Sequence, residues 1–168
     1  MTVPEFNRCA IIRVARSGRV DERAAESYLC ARLAEAGYGA VNTDVVAESI
    51  ADIRETVGRV LSTPPGVLIV LGGTGPGRKD VTPEAIEPLL HKRFDGFSVL
   101  FHLYSHQSAG LPGMLSRAFA GTIDDTIVIA LPGNLSAVVD AWTHILSHHL
   151  SDDLGQCTLR RVVSSART

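Results

Sequence analysis

The sequence predicts an α/β fold built around a mainly parallel, doubly wound sheet. Short apolar runs alternate along the chain with longer amphipathic stretches, the pattern of strands joined by helical crossovers. The runs at residues 67–71 and 127–131 are apolar at every position, which is typical of central strands covered on both faces. Crossovers between parallel strands are right-handed, so these units wind into a single sheet.

The N-terminal part of the chain predicts two strand–helix units. Residues 9–14 form an apolar run, and residues 21–36 carry apolar side chains at a spacing of three to four. Gly37 is a helix stop signal. A weaker strand is predicted over residues 39–46, and Ser49 is placed to cap the helix that follows it.

The middle of the chain contains the clearest strand, at residues 67–71, after a Pro-Pro-Gly break. Downstream, Thr82 is predicted as the N-cap of a helix and Pro83 as its first residue. Residues 95–120 are predicted to be mostly helical and irregular.

The C-terminal part predicts a buried strand at 127–131 and an amphipathic helix over residues 135–150. Residues 154–168 are interpreted as a tail, with a short edge strand at 158–163. With 168 residues, no internal repeat and no low-complexity segment, the chain is predicted to be a single domain spanning residues 1–168.

The composition of the chain excludes some kinds of binding partner. The net charge is −2, which gives no basic field for a nucleic acid backbone, so no nucleic acid partner is expected. No apolar run approaches the ~20 residues of a membrane span, and we expect no signal peptide, because the N-terminal residues lack a basic stretch followed by an apolar one. The three cysteines form no CxxC pair, which fits a reducing compartment. We therefore expect a cytoplasmic protein with no membrane partner.

The candidate site lies where four loops leave the carboxyl ends of the predicted strands, because ligands of open α/β sheets bind there. Three of these loops combine glycine with hydroxyl, amide or charged side chains. The four loops contain Arg16-Ser17-Gly18, Glu48-Ser49, residues 72–80 and Pro132-Gly133-Asn134.

The loop at residues 72–80 carries the strongest signal. Three glycines surround Thr74 and allow backbone amides to approach an anion closely. The loop is not a P-loop, because Arg78-Lys79-Asp80 stands where Gly-Lys-Ser/Thr would complete the motif. The presence of Asp80 and Thr82 favours a ligand-binding loop over a glycine turn that has no binding role.

The stretch from Gly72 to Ile86, GGTGPGRKDVTPEAI, resembles the signature of the MoaB/MogA family of molybdenum cofactor biosynthesis proteins. The similarity continues through residues 94–97, Ser105, the Leu-Ser-Arg at 115–117 and residues 131–133. It covers roughly residues 8–150 in the family's order. The chain is identified on these motifs as a member of that family.

The resemblance implies a three-layer α/β/α domain, assembled as a homotrimer or homohexamer, that binds molybdopterin. It also implies adenylylation of molybdopterin with Mg-ATP, in which the pterin's terminal phosphate attacks the α-phosphorus and pyrophosphate leaves. Asp80 and Glu48 would be the catalytic acids and the ligands of Mg²⁺. The implied molybdopterin contacts are Gly72, Gly73, Thr74, Gly75, Thr82, Ser105, Ser116 and Arg117. The implied nucleotide contacts are Ser17, Pro132, Gly133 and Asn134.

Three positions depart from the family's pattern. Glu48 stands where the family has an aspartate, and His102 stands where it has an arginine. Residues 21–24 replace an Asp-(Ser/Thr)-Ser-Gly run. These departures keep an alternative open, in which the chain binds or carries molybdopterin without transferring a nucleotide; a scaffold module is a third, weaker interpretation.

Two histidine pairs have the i,i+4 spacing of metal ligands on a helix: His102 with His106, and His144 with His148. Neither pair has the glutamate of the H-E-x-x-H motif. Exposed or subunit-interface histidines are the favoured interpretation.

Overall fold

The computed structural model describes residues 5–15, 21–150 and 159. Within them the strands are β1 (Glu5–Ala15), β2 (Ala40–Ala47), β3 (Pro65–Leu71), β4 (Lys92–Arg93), β5 (Phe119–Ile123) and β6 (Thr126–Leu131). The α-helices are α1 (Asp21–Glu35), α2 (Ile50–Leu61), α3 (Thr82–Ile86), α4 (Asp95–Ala109), α5 (Leu135–Ala141) and α6 (Ser147–Leu150). Two 3₁₀ turns, Glu87–Leu89 and Leu111–Leu115, and a π-helical turn, Trp142–Leu146, complete the helical segments.

The strands form a six-stranded sheet in the order β2-β1-β3-β6-β5-β4. The first four are parallel, and Ile11 of β1 pairs with Thr43 on one side and Ile69 on the other. The remaining two strands are antiparallel to their neighbours. Asp124, at a φ of 49°, turns the chain between β5 and β6. This mainly parallel sheet confirms the predicted fold class.

Helices cover both faces of the sheet and enclose two hydrophobic clusters. Alternate side chains of β3 belong to different clusters: Ile69 packs in the first cluster and Leu68 in the second. The first cluster includes residues of α1, α4 and α5, and the second includes residues of α2 and α3. Burial of residues 67–71 is the outcome that their continuous apolar run predicts, and the strand also includes the buried Pro65 and Gly66.

The predicted helical character of residues 95–120 is wrong at its C-terminal end. Helix α4 ends at Ala109 and is capped by Gly110, whose φ is +69°, and a 3₁₀ turn follows. Residues 119–123 instead form β5, buried at every position beside β6. The run Phe-Ala-Gly-Thr-Ile is short and mixes small residues with large ones, so its periodicity does not reveal a strand.

Two further details of the helices differ from the sequence prediction. Thr82 is the first residue of α3, not its N-cap, because Val81 occupies the cap position without a side-chain hydrogen bond. The helix predicted over residues 135–150 is continuous but contains the π-helical turn. Ser49 caps α2 as predicted, accepting a 3.4 Å hydrogen bond from the Asp52 amide. The predicted edge strand at 158–163 lies outside the described residues except for Leu159.

Candidate functional site

A cleft of about 410 Å³ lies at the carboxyl ends of the parallel strands, where the sequence predicts the site. Its walls come from the loops after β2, β3 and β6, from α1, α4 and α5, and from the segment after α4. The predicted site residues that line it are Glu48, Gly72, Gly73, Thr74, Gly75, Asp80, Ser105, Ser116, Pro132, Gly133 and Asn134. Thr82 and Arg117 do not line it, and Ser17 lies outside the described residues.

The loop at residues 72–80, called the glycine loop below, begins with two residues in the left-handed region of backbone dihedral angles. Gly72 has a φ of +96° and Gly73 a φ of +66°. A Cβ on Gly72 would lie 2.7 Å from the Val14 carbonyl oxygen, and one on Gly73 would collide with the Thr82 hydroxyl. Only glycine combines these dihedral angles with this close packing. The loop therefore presents bare backbone to the cleft.

Asp80 organises the loop from within. Its Oδ2 accepts a 2.9 Å hydrogen bond from the Gly77 amide, and its own amide donates to the Gly77 carbonyl at 3.0 Å. A Cβ on Gly75 would lie 2.7 Å from the same carboxylate oxygen. The loop is thus wrapped around the carboxylate, which also lines the cleft.

Thr82 supports the loop from beneath. Its buried hydroxyl donates to the Gly72 carbonyl at 2.7 Å, and its amide donates to the Gly73 carbonyl at 3.0 Å. The hydroxyl and the amide of Thr82 are therefore both hydrogen-bonded to the backbone of the loop. Thr82 positions the loop and does not reach the cleft, although the resemblance implies a ligand contact.

Arg117 clamps the outer side of the loop. Its guanidinium donates to the Gly75 carbonyl at 3.1 Å and to the Asp80 carbonyl at 2.6 Å. It also pairs with the Glu84 carboxylate, and this hydrogen bond lowers the pKa of Glu84. The Arg117 amide adds a 2.7 Å bond to the Thr74 carbonyl. Arg117 therefore holds the loop from outside the cleft.

Two serines also line the cleft. Ser105 is buried on α4, and a Cβ on Gly113 would lie 2.8 Å from its hydroxyl oxygen. The Oγ of Ser116 is buried and has no hydrogen-bond partner among the described residues. A buried hydroxyl facing a cleft without a partner is a place for a ligand to bond.

The loop after β6 brings a helix N-terminus to the cleft. Asn134 caps α5 and accepts from the Ala137 amide and the Ser136 hydroxyl, both at 2.9 Å. Gly133 packs closely against α1, since a Cβ there would lie 3.1 Å from the Cγ of Glu22. The N-terminus of α5 adds a positive dipole end to this side of the cleft.

The charged side chains lining the cleft are all acidic within the described part of the chain: Glu22, Glu48, Asp80 and Asp140. Glu22 is only 4% exposed and pairs with Arg13 at 3.8 Å. Asp140 accepts a hydrogen bond from Ser108. Sequence reasoning missed Glu22 and Asp140 as site residues. Two signals could have indicated Glu22: it lies in the first turn of α1, and it belongs to residues 21–24, which replace a run of the family's pattern.

Among the described residues, no group of three or more histidine, cysteine or acidic side chains is arranged to hold a metal ion. His102 contacts two backbone carbonyls, and His144 stacks on Tyr104 with ring centroids 4.2 Å apart. In the same part of the chain, no helix is long and apolar enough to cross a membrane.

Comparisons with known proteins place this chain in a family. Residues 13–152 match the family described as a probable molybdopterin binding domain. Molybdenum cofactor biosynthesis protein B of Escherichia coli (strain K12) is 31% identical over 151 residues, 89% of each chain. A probable molybdopterin adenylyltransferase of Methanocaldococcus jannaschii is 38% identical over 88 residues, 48% of this chain and 54% of the relative.

The structural comparison agrees with the sequence comparison. The crystal structure of the tungsten cofactor synthesizing protein MoaB from Pyrococcus furiosus superposes with a TM-score of 0.72 at 26% identity. The superposition covers 87% of this chain and 98% of that protein. Because the family match spans most of the described domain and full-length relatives share its sequence and fold, the chain belongs to the MoaB/MogA family of molybdenum cofactor biosynthesis proteins.

Proposed function

We propose that this chain binds molybdopterin in the carboxyl-end cleft and adenylylates it with Mg-ATP, releasing pyrophosphate. The observation that carries the proposal is the glycine loop wrapped around Asp80, which brings glycine backbone and a carboxylate to the wall of the cleft. The relative named as a probable molybdopterin adenylyltransferase supports the reaction type.

The two sides of the cleft suggest separate roles. The glycine loop, Ser105 and the orphaned Ser116 hydroxyl would contact molybdopterin, because they supply hydrogen-bonding groups to the same cleft. Residues 132–134 and the N-terminus of α5 would contact the nucleotide, since a helix N-terminus favours phosphate. The reaction then depends on aligning the pterin phosphate with the α-phosphorus of ATP.

The donor set of the cleft fits a magnesium ion that arrives with the nucleotide. Mg²⁺ is bound through one or two carboxylates together with substrate phosphates, so a cluster of three protein ligands is not needed. Glu48 and Asp80 line the same cleft and offer hard oxygen donors. In a cleft whose described charged residues are acidic, a divalent cation would neutralise the polyphosphate.

A second function is favoured by one substitution. Glu48 is one methylene longer than the family's aspartate, and Mg²⁺ demands near-ideal octahedral geometry. If the longer side chain misplaces the ion, the chain binds or carries molybdopterin without transferring a nucleotide. The molybdopterin side of the cleft would then be the functional part.

We also propose a homotrimer or homohexamer. Large apolar side chains are exposed on α4 and on the 3₁₀ turn after it: Val99, Leu100, Leu103, Leu111, Met114 and Leu115. An apolar surface of this kind is typical of a contact between subunits. Size-exclusion chromatography with light scattering tests the assembly, and a monomer at every concentration would contradict it.

Calorimetric titration with ATP in the presence and absence of Mg²⁺ tests the nucleotide site directly. We expect magnesium-dependent binding, followed by AMP transfer to molybdopterin. Asp80→Asn should abolish transfer while molybdopterin binding is largely retained. Asp44→Asn is the matched control, because Asp44 lies at the other end of the strands, paired with Arg59.

The outcomes separate the two functions. No heat at millimolar ATP from a folded protein that binds molybdopterin would favour the carrier. Glu48→Asp would then be expected to restore ATP binding, because it returns the shorter carboxylate. Unchanged AMP transfer in the Asp80→Asn variant would contradict the proposed role of Asp80.

A further inference from the structure

Both ring nitrogens of His102 lie at hydrogen-bond distance from backbone carbonyl oxygens. Nδ1 lies 2.6 Å from the Ser98 carbonyl oxygen, and Nε2 lies 2.7 Å from the Ser116 carbonyl oxygen. Carbonyl oxygens only accept hydrogen bonds, and a neutral imidazole has a single N–H to donate. Both contacts are therefore hydrogen bonds only when the ring is a protonated imidazolium.

The charged groups around α4 are engaged elsewhere. The 3₁₀ turn Leu111–Leu115 and β5, which pack on α4, contain no titratable side chain. Of the other groups facing it, Arg117 bonds the glycine loop, Asp140 accepts from a serine and His144 stacks on a tyrosine. On α4 itself, Asp95 pairs with an arginine and His106 is exposed. Within the described part of the chain, the polar contacts of the His102 ring are thus the two carbonyls.

One of the two bonds fixes a wall of the cleft. Ser116 lines the cleft, and its Oγ is buried without a partner among the described residues. His102 ties the Ser116 carbonyl to α4, while the Arg117 amide ties the next residue to the glycine loop at 2.7 Å. The segment carrying the orphaned hydroxyl is therefore anchored from both sides.

We propose that His102, as an imidazolium, is a positioning residue that holds the Ser116 hydroxyl for the bound ligand and makes ligand affinity depend on pH. The inference rests on the proposed function for the identity of that ligand, molybdopterin. A protonated ring donates to both carbonyl oxygens. When the ring is neutral, one ring nitrogen faces a carbonyl oxygen without a proton, so the ring no longer bridges α4 and Ser116.

The protonation state is tested without any ligand. In nitrogen NMR spectra of isotope-labelled protein at about pH 6, we expect both ring nitrogens of His102 to carry protons. The His102→Gln variant assigns the signal by its disappearance. A single neutral tautomer of His102 at that pH would overturn the proposal.

Molybdopterin affinity tests the consequence for the cleft. We compare the wild type with His102→Arg, whose guanidinium keeps its donors at every pH, and with the exposed control His106→Gln. The His102→Arg variant also corrects for titration of the ligand's own phosphate. Relative to that variant, we expect wild-type affinity to fall about tenfold between about pH 6 and about pH 8, the effect of one lost hydrogen bond. His106→Gln should follow the wild type.

Equal pH profiles for the wild type and His102→Arg would overturn the positioning role. If molybdopterin binds none of the variants at any pH, the proposed function fails, and unfolding measurements decide the inference alone. Under the proposal, the stability advantage of His102→Arg over the wild type grows as the pH rises, whereas a constant difference contradicts it.

Discussion

Two clefts of equal volume, about 410 Å³ each, lie at opposite ends of the same parallel strands. The carboxyl-end cleft is lined by the glycine loop, by acidic side chains and by a hydroxyl without a partner among the described residues. The amino-end cleft is lined by side chains of β1, β2 and the end of α2. There, Arg59 donates to Asp44 at 2.9 Å, so these two opposite charges are paired, and Arg8 is a further charged residue of the lining.

The difference shows that the volume of a cleft does not make it a site. At the carboxyl ends, backbone in the left-handed region and buried polar groups are held in place by Thr82 and Arg117. The cleft at the amino ends contains no glycine among its described lining residues. Backbone held in unusual conformations with polar groups left to bond is typical of binding sites.

Among the substitutions that test the difference between the two clefts, we expect the largest loss of stability at Gly73. A Gly73→Ala substitution forces a side chain into the left-handed region and against the Thr82 hydroxyl, so we expect a loss of about 3 kcal/mol in the free energy of unfolding. Gly58→Ala on α2 is the control, because a Cβ there meets nothing within 4 Å. That control should stabilise the protein by up to about 1 kcal/mol. Urea denaturation measures the free energy of unfolding of both variants. Equal values for Gly73→Ala and Gly58→Ala would contradict the special role of the glycine loop.

A smaller loss is expected from Thr82→Val. This substitution keeps the shape of the side chain but leaves the buried Gly72 carbonyl without its 2.7 Å hydrogen bond, at a cost of about 2 kcal/mol. Thr63→Val, at an exposed threonine lining the amino-end cleft, should change stability by less than about 0.5 kcal/mol. Similar losses in both variants would contradict the special support of the glycine loop.

The smallest effect concerns the clamp between Arg117 and Glu84, and it depends on pH. The hydrogen bond from Arg117 lowers the pKa of Glu84, so its contribution is present above the ordinary glutamate range and is lost as the pH falls through the lowered pKa. Because the pair is exposed, Glu84→Gln should cost less than about 1 kcal/mol at neutral pH.

Thermal unfolding from neutral to acid pH measures this contribution. The difference between the wild type and Glu84→Gln should shrink in acid, while Glu55→Gln, at an exposed position of α2, should show no such trend. A difference that grows as the pH falls would contradict the clamp.

Much of the fold and the core of the site could be predicted from the sequence. The apolar run at 67–71 indicates a central strand because every position is buried there, and the loop at 72–80 follows directly from it. Residues 119–123 could not be assigned, since a short strand with small residues has no clear periodicity. Its place in the sheet depends on pairing with β6, which is a tertiary contact.

The missed parts of the site have a similar cause. Asp140 reaches the cleft only because α5 packs beside α4, and no local pattern encodes that contact. The motif marks Arg117 and Thr82 as important, but it does not distinguish a residue that touches ligand from one that bonds the loop. That distinction depends on side-chain geometry.

The position of β6 has a consequence for how the protein is made. This strand is the last of the described residues to join the sheet in chain order, yet it lies between β3 and β5, and its end supplies residues 132–134 to the cleft. A ribosome-bound chain that has emerged only as far as α4 therefore has a glycine loop but no complete cleft. A ligand that contacts residues 132–134 can therefore stabilise the folded chain only after β6 has been synthesised and inserted between β3 and β5.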